Sequence, residues 1–139
     1  MILVSACLVG LDCKYSGKNN ASDSVYAYLK GKTYVPVCPE QLGGLQTPRP
    51  CCEIVGDQVI NEHGLDCTKE FIKGAEETLK IAKLLGASEA LLKEGSPSCG
   101  THKVYDGTFT GVKIAGQGCT ASLLRTHGVK VYSEEDLKI

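Results

Sequence analysis

The sequence predicts an α/β domain of the small three-layer, Rossmann-like kind, with a mainly parallel sheet of about four strands. Three observations predict it. Short apolar runs recur along the chain, segments with apolar residues at three- and four-residue steps fall between them, and glycines close those segments. Strands alternating with helices imply a parallel sheet with helices on its faces, and the handedness of crossovers makes a doubly wound layer the simplest closure. The 139 residues fit a single domain over 1–139, long enough to bury a core without disulfide staples.

Residues 2–6, Ile-Leu-Val-Ser-Ala, read as a buried strand that ends at Cys7. A polar stretch with Gly17 follows as a loop, and 22–30 reads as a short helix capped by Ser22 or Asp23. Residues 33–37 form a second strand, placed at a sheet edge because Pro36 cannot donate a ladder hydrogen bond. Cys38-Pro39-Glu40 follows directly. Between 38 and 67 no long periodic run appears; 53–55 and 58–60 flank Gly56-Asp57 as a small hairpin. Residues 68–85 give the clearest helix, with Phe71, Ala75, Thr78, Leu79, Ala82 and Leu85 on one face, Asp66 or Thr68 as its cap and Gly86 after its end. Residues 87–92 form the third strand. A long glycine-rich connection over 93–116 is of a length that is usually functional. A helix over 118–126 stops at Gly128, 129–132 forms the fourth strand, and 133–136 opens a short terminal helix.

Composition excludes several classes. The net charge is −1 with 22% charged residues, so nothing calls for nucleic acid or a membrane surface. Lys14, Lys18, Arg49 and Lys103 still offer a local patch for one phosphate. No apolar run reaches membrane-spanning length, and no signal segment precedes Cys7. Eight cysteines in such a chain are read as reduced and the protein as cytoplasmic.

Three of those cysteines share one topological address. Cys7 ends the first strand, Cys38 ends the second, and Cys99 lies in the loop leaving the third. The carboxyl ends of parallel strands line one rim, where ligands bind, so three thiols can converge there on one point. Soft thiolates suit a metal or iron–sulfur site, and three of them leave an iron with an open position. From spacing alone a metal or cluster site, buried structural cysteines and a redox thiol pair all stay open. Two neighbours favour the first. Ser96-Pro97-Ser98-Cys99-Gly100 is a tight turn rich in hydroxyls and N–H groups, and Glu40 puts a carboxylate on the same rim.

At these residues the chain resembles a known family. Val4-Ser5-Ala6-Cys7-Leu8-Val9-Gly10, Cys13-Lys14-Tyr15-Ser16-Gly17, Val37-Cys38-Pro39-Glu40, Pro48-Arg49, Gly64-Leu65-Asp66-Cys67-Thr68, Lys93 to Gly100 and Tyr105 to Phe109 together resemble the thiouracil desulfidase family, nearly end to end. The resemblance implies a four-iron, four-sulfur (4Fe-4S) cluster held by Cys7, Cys38 and Cys99, and lost easily in air. It implies a free iron that binds the sulfur of a thiopyrimidine such as 2-thiouracil, or of 4-thiouridine monophosphate. Water then replaces that sulfur, assisted by Glu40 and by a serine, Ser96 or Ser98. The chemistry is hydrolytic and the partner is a small molecule, not a membrane.

Two departures stand out. Cys13 is extra to the family pattern and reads as a spare thiol, a fourth ligand or a neighbour of the ligands. Cys51-Cys52 is a vicinal pair read as packing. Cys67 and Cys119, near helix starts, also read as packing, with some thiol reactivity from the helix ends. His63 and His127 read as loop or helix-end residues, His102 as a possible substrate contact, and Tyr15 and Tyr105 as rings able to stack on a pyrimidine. A non-catalytic metal-binding protein and a thiol redox protein using Cys51 and Cys52 are the competing readings.

Overall fold

In the computed structural model, which describes residues 1–137, the first apolar run folds as β1 (Ile2–Ser5), buried throughout. The domain expected over 1–139 thus reaches two residues beyond those described. A 3-10 turn (Ala6–Val9) follows, and Ser22 caps α1 (Asp23–Leu29) by accepting the Val25 N–H at 3.4 Å. Then come β2 (Tyr34–Val37), α2 (Pro39–Leu42), β3 (Cys52–Val55) and β4 (Gln58–Asn61). The long helix α3 (Thr68–Leu85) ends on Gly86 in the left-handed region, as its sequence predicts. β5 (Glu89–Leu92), β6 (Lys103–Tyr105), β7 (Lys113–Ala115), α4 (Cys119–Thr126) and β8 (Lys130–Ser133) complete the fold, with a final 3-10 turn at Glu134–Asp136 capped by Ser133.

The main sheet runs β2-β1-β5-β8, every pair parallel, with β2 and its Pro36 at an edge. Strand alternation sorts the core into two layers. Ile2, Val4 and Leu91 face α1 through Val25 and Leu29. Leu3, Ala90 and Leu92 face α3 and α4 through Ala82, Ala121 and Leu124. Each fully buried leucine here contributes roughly 1.5–3 kcal/mol. This is the three-layer α/β architecture expected. No helix among the described residues is long and apolar enough to cross a membrane.

Three local features differ from the sequence expectation. The stretch after Cys38 contains a helix, α2, opened by Pro39 at its first position. Four residues are too few to register as a period. The connection 93–116 is not structureless: β6 and β7 pair antiparallel within it. The terminal segment is a 3-10 turn rather than an α-helix. The expected hairpin does form, with Val55 opposite Gln58 across Gly56-Asp57.

One packing contact fixes where the site sits. α2 crosses α3 at Gly43 and Gly74, where a Cβ on either glycine would collide with the Glu70 or Pro39 carbonyl. This close crossing helps seat α2, and with it Glu40, against the sheet rim.

Candidate active site

The carboxyl ends of β2, β1 and β5 stand side by side. Cys7 lies in the 3-10 turn leaving β1, Cys38 between β2 and α2, and Cys99 in the loop leaving β5. All three line one cavity of about 340 Å³, together with Glu40, Ser96 and Ser98. The three thiols, Glu40 and both serines thus share one crevice. Among the described residues, however, no three His, Cys, Asp or Glu side chains gather around a single metal-ion position. The thiols surround a volume and do not meet at a point. That arrangement suits a cubane cluster, which offers each thiolate a different iron.

The surroundings fit such a group. The polar groups nearest the thiols favour their charged forms: the Asn20 side chain for Cys7, the Cys13 thiol and the Gln41 N–H for Cys38, and the Ser5 and Ser98 hydroxyls for Cys99, with Ser98 Oγ 3.7 Å from Cys99 Sγ. Donors of this kind steady anionic sulfur. The thiols differ in charge. The neighbouring Cys13 thiol brings Cys38 down to about 6, helped by Gln41 N–H and Arg49 and opposed by burial. Burial raises Cys7 and pushes Cys99 up to about 12. Loading a metal centre therefore releases protons from Cys7 and Cys99.

The structure separates the two serines. Ser98 Oγ donates to Glu40 Oε2 at 2.8 Å and lies 3.7 Å from Cys99 Sγ. Ser96 Oγ accepts the Cys99 N–H at 2.6 Å and the Ser98 N–H at 3.2 Å, so its bonds shape the turn. The start of α4 clamps the same turn: the Thr120 and Cys119 N–H groups donate to the Ser98 and Pro97 carbonyls at 2.9 Å.

Glu94, which the sequence reading passed over, anchors the whole loop. It is 2% exposed, and its Oε1 accepts the N–H groups of Gly95, Thr101, His102 and Lys103 at 2.7–3.3 Å. Burial alone would raise its pKa, but the His102, Lys103 and Thr101 N–H groups outweigh it and the net shift is downward. Its stabilising contribution is therefore complete above the unfolded carboxylate value and is lost as pH falls through the folded one. Glu94→Ala leaves four donors unpaired. It should lower stability at pH 7 by roughly 3 kcal/mol or more, a fall in Tm on the order of 10 °C. The deficit should shrink in acid. Calorimetry at both pH values checks it, and a Tm within a degree or two of the parent would mean the loop holds without this anchor.

Other residues are placed differently from the sequence reading. Arg49 was a candidate for phosphate, yet its side chain is 6% exposed and turned inward to Glu40 Oε1 at 2.9 Å. Lys18 does not line the cavity, and Lys103 pairs with Glu135 at 2.7 Å. Of that patch only Lys14 remains beside the cavity free of an acidic partner, 5.8 Å from the Tyr15 ring centroid. Lys113, unremarked in the sequence, lines the cavity above the Tyr105 ring at 5.3 Å. His102 bonds Asp136 at 2.8 Å and is not in the cavity wall. All eight cysteines are free. Burial pushes Cys51 up to about 11 and Cys52 up to about 12 and raises Cys67 and Cys119, so none of these is a ready nucleophile and the helix ends do not activate the last two. This disfavours the redox reading.

The chain is similar to known proteins along nearly its whole length. A family model described as 2-thiouracil desulfurase matches residues 2–136. The uncharacterized protein YbbK of Bacillus subtilis (strain 168) is 44% identical, over 99% of this chain and 97% of its own. A solved structure described as the 4Fe-4S-dependent thiouracil desulfidase TudS superposes with a TM-score of 0.91 at 47% identity, covering 98% of this chain and 91% of that one.

Proposed function

The chain belongs to the 2-thiouracil desulfurase family, and on that premise we propose that it is a 4Fe-4S-dependent desulfidase that hydrolyses thiopyrimidines to the corresponding carbonyl compounds. The observation that carries the reading is the 2.8 Å bond from Ser98 to Glu40 inside the cavity that holds Cys7, Cys38 and Cys99. Those three thiolates would hold the cluster, which would supply Lewis-acid chemistry toward a soft thiocarbonyl sulfur. Glu40 takes a proton from the attacking water. Ser98, whose hydroxyl is fixed by Glu40, directs that water to the ring carbon and relays the proton toward the departing sulfur. Thiocarbonyl and water become carbonyl and hydrogen sulfide, with no electron gained or lost.

Tyr15 and Tyr105 line the cavity with rings able to stack on a pyrimidine. Lys14 and Lys113 stand beside them as the cations for a nucleotide phosphate, which favours 4-thiouridine monophosphate over the free base. The full span 1–139 acts as one catalytic domain. Eight free cysteines fit a reducing compartment, and we place the protein in the cytoplasm.

The test is sulfide release by protein reconstituted without oxygen, from 2-thiouracil and from 4-thiouridine monophosphate. Lys113→Ala should raise KM for the monophosphate about tenfold or more, the worth of one charge-assisted bond, and leave KM for 2-thiouracil unchanged. An equal change for both substrates would remove Lys113 from phosphate recognition. No sulfide from either compound would leave the non-catalytic metal-binding reading in its place.

A further inference from the structure

Arg49 makes an unusual set of bonds for a residue on the wall of an open cavity. Its side chain is 6% exposed, and each nitrogen is committed. Nε donates to Glu40 Oε1 at 2.9 Å, Nη2 to the Cys13 carbonyl at 2.9 Å, and Nη1 to Thr47 Oγ1 at 2.9 Å and the Gln46 carbonyl at 3.1 Å. Its backbone N–H donates to the Tyr15 carbonyl at 2.8 Å. Four of its five guanidinium N–H groups are taken up inside the protein, which leaves one Nη2–H without a partner among the described residues. What it does is hold Glu40. One carboxylate oxygen faces Arg49 and the other accepts Ser98 Oγ at 2.8 Å, so neither can turn away without breaking a bond.

We infer that Arg49 is the positioning residue of the reaction: it locks Glu40 Oε2 onto Ser98 and ties that pair to the 13–15 segment of the cavity wall. The inference rests on the role of Glu40 proposed above. Arg49 acts through Glu40 and touches neither substrate nor cluster. Lysine carries the same charge but lacks the planar fork, so it cannot hold Glu40, Thr47 and the Cys13 carbonyl together.

The experiment compares Arg49→Ala and Arg49→Lys with the parent at matched iron content, using 2-thiouracil. Both should lower kcat with KM unchanged, Arg49→Ala by about 10²-fold, the scale of a misplaced catalytic group. Added guanidinium below denaturing concentrations should restore part of the loss in Arg49→Ala. In a Glu40→Gln background, Arg49→Ala should cost nothing further, because its only route to the chemistry has gone. In the cluster-free chain, the Arg49 Nε–H should give a slowly exchanging proton resonance that Glu40→Gln moves.

A raised KM at unchanged kcat would overturn the inference, since Arg49 would then contact substrate. So would an undiminished loss in the Glu40→Gln background, an Nε–H signal indifferent to Glu40, or loss of iron from both Arg49 variants to the level of Cys38→Ser. Parent-like turnover of Glu40→Gln is a separate result: it would remove Glu40 from the proposed mechanism, whatever Arg49 does.

Discussion

Glu40→Gln is expected to keep its full complement of iron and to lose turnover by ~10²–10⁴-fold, the range of acid–base assistance. Glutamine has nearly the shape of glutamate, and its oxygen can still accept the Arg49 Nε–H that reaches Glu40 at 2.9 Å. Packing of α2 on α3 through Gly43 and Gly74 does not involve the side chain, so the rim stays in place. The amide cannot take a proton near neutral pH. It would also turn an NH₂ group toward Ser98, where a carboxylate oxygen now accepts at 2.8 Å. Sulfide release from 4-thiouridine monophosphate, compared at equal iron content, is the measurement. Near-parent turnover would make Glu40 a structural carboxylate and pass the activation of water to Ser98 or Ser96.

The second large effect is on the cluster itself. Cys7→Ser, Cys38→Ser and Cys99→Ser should each abolish retention of the roughly four irons per chain that a 4Fe-4S cluster carries, whereas Cys51→Ser and Cys52→Ser should retain them. A hydroxyl is a poor substitute for a thiolate on iron. The three thiols line one cavity, Cys7 and Cys38 directly after β1 and β2 and Cys99 in the loop leaving β5, each beside a polar group that favours its thiolate. Cys51 instead donates to Glu62 at 3.1 Å, and Cys52 packs with Val59, Cys67 and Phe71. Iron per chain after anaerobic reconstitution decides the matter. Equal loss from Cys51→Ser would mean that the ligand set is wrong.

Much of this is legible in the amino-acid sequence. The apolar run at 2–5 is buried at every position because β1 lies inside the sheet, between β2 and β5. Thr68–Leu85 announced itself because eighteen residues hold several turns of a helical period. Pro36 placed β2 at an edge because the missing N–H is tolerated only there. From those strands alone, Cys7, Cys38 and Cys99 fall on one rim.

Tertiary structure decided the finer chemistry. Ser96 and Ser98 are alike in sequence, and only the fold brings Glu40 across 58 residues to bond one of them. Arg49 reads as a surface cation until its inward turn onto Glu40 is seen, and Glu94 reads as one more loop carboxylate until four N–H groups converge on it. α2 and the β6–β7 pair are too short to carry a period and exist because neighbouring elements hold them. The reason is physical. Periodicity records which face of an element avoids water, and that follows from local order along the chain. A hydrogen bond between side chains is set by position and direction to within a fraction of an ångström, and those are fixed only when distant segments pack.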